Sequence, residues 1–90
     1  MPESAVEMQL AAILGQHLRE LRKAKGLSQE RVALAAGIST NYYQLLEAGL
    51  RTRTPRTPAN PSLMVLVALG EVLETPLPVI LDEVLIRNAS

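Results

Sequence analysis

Ser28-Gln29-Glu30-Arg31-Val32-Ala33-Leu34-Ala35-Ala36-Gly37-Ile38-Ser39-Thr40-Asn41-Tyr42-Tyr43-Gln44-Leu45-Leu46-Glu47-Ala48-Gly49 is the stretch that decides how this chain folds. Ser28 is of the type that caps a helix N-terminus, and Glu30 puts a negative charge in the first turn, where the helix dipole favours it. Val32, Ala33 and Ala36 form an apolar stripe at helical spacing. Gly37 stops that helix, Ser39 caps another, and Gly49 ends it. The reading is two short helices joined by a tight Gly-Ile-Ser turn.

Upstream, Ser4-Ala5-Val6-Glu7 fits a capping box. Val6, Leu10, Ile13, Leu14, Leu18 and Leu21 then recur at three- and four-residue steps, the mark of an amphipathic helix. Gly26 ends it after Arg22, Lys23 and Lys25, whose charge suits a helix C-terminus. This first helix is roughly 21 residues, or about 32 Å, long. Downstream, residues 50–61 carry Pro55, Pro58 and Pro61 at every third position, which predicts an extended left-handed loop. Ser62 caps a fourth helix bearing Leu63, Leu66, Val67, Leu69 and Leu73. Thr75-Pro76 restarts the chain for a fifth, with Leu77, Ile80, Leu81, Val84 and Leu85 as its stripe. The expected fold is all-α: a compact five-helix domain with an extended first helix. Residues 1–13 are expected to be a helical extension, 14–86 the body, and 87–90 a frayed tail.

Ninety residues suit one domain, and 48% of them are hydrophobic, enough for a core. The apolar set is aliphatic; Tyr42 and Tyr43 are the only aromatics, which favours helices over a β-sandwich. The absence of cysteine excludes a disulfide framework, a thiolate zinc site and a cysteine nucleophile. His17 is the one histidine and reads as a half-exposed residue of the first helix, so no metal site is expected. No apolar run approaches the ~18 residues of a membrane span, and Met1-Pro2-Glu3 lacks the charge of a signal peptide. No membrane association is expected, and the expected location is the cytoplasm.

The net charge is zero, but its distribution is uneven. Arg19, Arg22, Lys23, Lys25, Arg31, Arg51, Arg53 and Arg56 face only Glu20, Glu30 and Glu47 in residues 19–56. The ends are acidic: Glu3 and Glu7 on one side, and Glu71, Glu74, Asp82 and Glu83 against Arg87 on the other. A basic centre suits a polyanion, although the neutral total tempers that argument.

Two helices with a glycine at a short joint form a recognised DNA-binding unit. Between Leu14 and about Leu81 the chain resembles the lambda-repressor-like (Xre-type, Cro/cI-type) helix-turn-helix family. The resemblance rests on Leu18-Arg-Glu-Leu-Arg-Lys-Ala-Lys-Gly-Leu-Ser-Gln-Glu30, Ala33, Ala36-Gly37-Ile38-Ser39, Leu46-Glu47-Ala48-Gly49 and Asn60-Pro61-Ser62-Leu63, in order and at the family's spacing. It implies the five-helix fold and sequence-specific binding of double-stranded DNA. It also implies an ion pair between Arg22 and Glu47, a phosphate contact from Gln29, and dimerisation.

The residues themselves suggest the contacts. On a helical wheel Tyr43 and Leu46 point one way, so Thr40, Asn41, Gln44, Leu45 and Ala48 face out. Asn and Gln can pair with adenine in the major groove, Thr can bond either way, and an apolar side chain can meet a thymine methyl. Thr40, Asn41, Gln44 and Leu45 are therefore the candidate base contacts. Gln29 at a helix N-terminus, Tyr42 at the rim, and Arg51, Arg53 and Arg56 in the following loop are the candidate phosphate contacts. Dimerisation would use the first helix (Val6, Leu10, Ile13) or the fifth (Ile80, Leu81, Val84, Leu85).

The functional expectation is a transcriptional regulator, specifically a repressor. It would act as a homodimer on an inverted repeat, with half-sites about 34 Å apart. The alternative is an antitoxin or adaptor module that mainly binds a partner protein, which Leu34 and Leu45 on outer faces would serve. An enzyme is not expected: there is no phosphate-cradling glycine loop, and His17 beside Glu20 reads as an exposed neighbour pair. No cofactor is expected.

Overall fold

A computed structural model describes residues 3–90, with side chains from Ala5 onward. Five helices appear among the described residues: α1 (Glu3–Ala24), α2 (Gln29–Ala36), α3 (Thr40–Glu47), α4 (Leu63–Val72) and α5 (Leu77–Ala89). α1 already begins at Glu3, so the cap expected at Ser4 falls inside the helix, and the Ser4 side chain lies outside the described part. Ser28, Ser39 and Ser62 do cap, each accepting the N–H of the residue three further on. No single helix among the described residues is long and apolar enough to cross a membrane.

The core draws on every helix. Leu14 and Leu18 of α1, Val32 and Ala33 of α2, Tyr43 and Leu46 of α3, Leu69 of α4, and Ile80 and Val84 of α5 pack together. α1 is the spine and lies against both α3 and α5. Its crossing of α3 is close enough to require Gly15. A Cβ there would stand 2.5 Å from the carbonyl oxygen of Leu46 and 2.6 Å from that of Glu47. At the joint between α2 and α3, Gly37 adopts φ +75°, a left-handed conformation that glycine adopts without steric cost.

Three further expectations need correction. Residues 50–61 are not an extended left-handed loop: Leu50–Thr52 (β1) and Thr57–Pro58 (β2) pair as a small antiparallel hairpin. Leu50 is buried and anchors it, and the Thr52 and Thr57 hydroxyls lie 2.7 Å apart across the strands. Pro58 is tolerated because a two-stranded ribbon has only edge strands. His17 is buried, 8% exposed, not half-exposed. It falls on the same helical stripe as Leu10, Leu14 and Leu21, and α5 packs against α1 there. Finally, α5 continues to Ala89 through residues expected to fray. Arg87 holds it there, donating to Glu83 of its own helix at 2.6 Å and to Glu20 of α1 at 2.7 Å.

Candidate nucleic-acid interface

α3 presents two unlike faces. Tyr43 and Leu46 are fully buried, and burial with the Glu47 charge keeps the Tyr43 hydroxyl neutral far into base. Asn41 is exposed on the other side, with Thr40, Gln44 and Leu45 half-buried beside it. Tyr42 is half-buried and packs against the core.

A hydrogen-bonded ladder runs from the interior to this outer face. The Arg22 guanidinium donates through Nε to Glu47 Oε2 at 2.6 Å and through Nη2 to Oε1 at 3.0 Å. Its Nη1 donates to the Leu27 carbonyl at 3.0 Å. Gln29 Nε2 donates to Glu47 Oε1 at 2.9 Å, and Gln44 Nε2 donates to Gln29 Oε1 at 3.3 Å. Burial favours the neutral form of Glu47, but the hydrogen bonds from Arg22 and Gln29 prevail and hold its carboxyl below the usual 4.5. The ladder thus ties α1, α2 and α3 together and fixes the rotation of α3 about its axis. Gln29 accordingly commits one amide N–H to Glu47, leaving only the other for a phosphate.

The tertiary structure also sorts the charges. Arg22 is consumed by Glu47, Lys25 pairs with Glu74, and Arg87 pairs with Glu20 and Glu83. Arg19, Lys23, Arg31, Arg51, Arg53 and Arg56 form no ion pair among the described residues. Every one of them lies between residues 19 and 56, where Glu30 is the only acid also left unpaired. Arg51, Arg53 and Arg56 stand exposed on the hairpin, and Arg53 reaches a cleft it shares with Arg19, Gln29 and Gln44. Arg19 counts in the basic centre of the sequence but is not among the candidate contacts drawn from it. Its signal was its place one turn before Arg22 on the same helix face.

The remaining candidates divide by burial. Ile80 and Val84 belong to the core and cannot anchor a dimer without being unpacked. Leu10 and Ile13 pack partly against that core. Val6, Leu81 and Leu85 stay exposed, and Val79 and Ile86 join them although the stripe had not marked them. Leu34 is 77% exposed on α2.

A model of the helix-turn-helix domain family matches residues 13–81. The chain is 32% identical over 71 residues to the HTH-type transcriptional regulator SinR of Bacillus subtilis (strain 168), covering 79% of this chain and 58% of that protein. It therefore spans less than two thirds of that relative. Over 66 residues it is 33% identical to the uncharacterized HTH-type transcriptional regulator y4dJ of Sinorhizobium fredii, covering 73% and 75% of the two chains. Among solved structures, the clp gene regulator ClgR from Corynebacterium glutamicum superposes with a TM-score of 0.75 at 26% identity, covering 89% of this chain and 77% of that one. The restriction-modification controller protein C.AhdI from Aeromonas hydrophila gives 0.64 at 34% identity, covering 78% and 94%.

Proposed function

Because this chain belongs to the helix-turn-helix family of lambda-repressor-like (Xre) type, we propose that it is a transcriptional regulator that reads duplex DNA with α3 in the major groove. The observation that carries the reading is the ladder. It spends a buried ion pair and two amides on holding α3 so that Thr40, Asn41 and Gln44 face outward. These three side chains, with Leu45 toward a thymine methyl, make the base contacts. Arg51, Arg53 and Arg56, the Tyr42 hydroxyl and the α2 N-terminus at Gln29 meet the phosphates. The relatives' names support regulation rather than catalysis.

The protein acts as a homodimer and as a repressor, blocking a promoter by occupying an inverted repeat. The exposed residues Val6, Leu81 and Leu85 are the members of the original dimer set still free to meet a second copy. Selection from a randomised duplex pool at physiological ionic strength tests the reading. An enriched inverted repeat with half-sites about ten base pairs apart is expected. Absence of any enriched sequence overturns it.

A second reading, a module that binds a partner protein, would use Leu34, which stands 77% exposed on α2 and takes no part in the core. Leu45→Arg separates the two. It should strengthen duplex binding generally if that face meets DNA, and should abolish partner binding if it does not.

A further inference from the structure

The hairpin that replaces the expected loop places Arg53 opposite α1. An open cleft of about 380 Å³ lies between them, lined by Arg19, Gln29, Gln44, Glu47, Ala48 and Arg53. Arg19 and Arg53 are exposed at its edges and make no hydrogen bond or ion pair among the described residues. Glu47 does not neutralise them, because Arg22 already holds both of its oxygens. With that pair counted as neutral, the cleft carries two uncompensated positive charges. The floor adds donors as well. Gln29 has given one amide N–H to Glu47 and Gln44 one to Gln29, so each retains a second N–H.

Two guanidinium forks and two amide-bearing side chains lining one cleft suit an oxyanion with several acceptor oxygens. The cleft borders the outer face of α3, where the backbone of a bound duplex would pass. We infer that it takes one DNA phosphodiester per protomer, clamped between Arg19 of α1 and Arg53 of the hairpin; this rests on the DNA-binding reading above. The hairpin then has a purpose beyond connection. Thr52 donates to the Pro55 carbonyl at 2.6 Å and is paired across to Thr57, bonds that shape the turn carrying Arg53. Such a clamp fixes the register of the protein on the duplex and reads no base.

The test uses the whole chain and the duplex enriched by the wild type, with each phosphate of one half-site replaced in turn by a neutral methylphosphonate. One position should cost the wild type about tenfold in affinity or more, the worth of a charge-assisted hydrogen bond. Arg19→Gln and Arg53→Gln should each bind the unmodified duplex more weakly and lose sensitivity at that same position. Their base preference should be unchanged. If the two variants lose sensitivity at different phosphates, or neither changes the scan, the clamp is overturned while DNA binding stands. A wild type that binds no duplex overturns the DNA-binding reading and the clamp with it. Both arginines are exposed, so the variants are expected to fold, and circular dichroism checks this.

Discussion

Two arginines tie α1 to the rest of the molecule, with the same chemistry in opposite surroundings. Arg22 meets Glu47 at 2.6 Å with side chains only 12% and 5% exposed. Arg87 meets Glu83 at 2.6 Å and Glu20 at 2.7 Å, with the three side chains 33%, 40% and 45% exposed. Contact geometry alone would rate them equal. Water separates them: around Arg87 it competes for every bond and screens every charge, and around Arg22 it is largely excluded. The inner pair therefore makes the fold depend on both partners being present, while the outer cluster only trims the end of α5.

Arg22→Ala should break this comparison most visibly. It leaves the Glu47 carboxylate buried and unpaired, at a cost of about 3–5 kcal/mol read from urea unfolding. Arg22→Met with Glu47→Leu should recover much of that loss. If the double variant is as unstable as the single one, the cost comes from lost geometry and not from the stranded charge. Gly15→Ala comes next, at about 1–3 kcal/mol, because the added methyl meets two backbone carbonyls of α3 that cannot move aside cheaply. A negligible change in its unfolding midpoint would mean that α1 and α3 are not so tightly apposed.

Gln44→Ala tests where the ladder passes from holding to reading. Competition binding should show a loss of about 1–3 kcal/mol of discrimination at one base pair of each half-site, with little change in the unfolding midpoint. A large stability loss with unchanged base preference would put Gln44 with the inner region instead. Arg87→Ala should give the smallest effect, a shift in midpoint close to replicate scatter. A loss rivalling that of Arg22→Ala would collapse the distinction between the two regions.

Helix positions were legible because capping and periodicity are local. Ser28, Ser39 and Ser62 act within three residues of themselves, and the left-handed Gly37 closes α2 where the reading expected. The outward set on α3 followed from the wheel, since a helix that buries Tyr43 and Leu46 has little choice about Asn41. The hairpin was not legible. Three prolines at regular spacing outweighed the β-forming threonines, and the anchoring of Leu50 in the core is a long-range fact. His17 was misplaced for a similar reason: the α1 stripe includes its position, but its neighbour Arg87, whose Nη2 lies 3.5 Å from its Nδ1, comes from distant α5.

By itself, the sequence determined the five helices, their order, most of their buried stripes and the family, because each depends on neighbours a few residues apart or on a pattern carried along the chain. Only the tertiary structure decided which charges are spent and which remain. Arg22 and Arg19 sit one turn apart on one helix, yet one is locked to Glu47 and the other is left at the mouth of a cleft with Arg53. Their partners come from distant segments, and a charge is neutralised by what stands beside it in space, which local sequence does not specify.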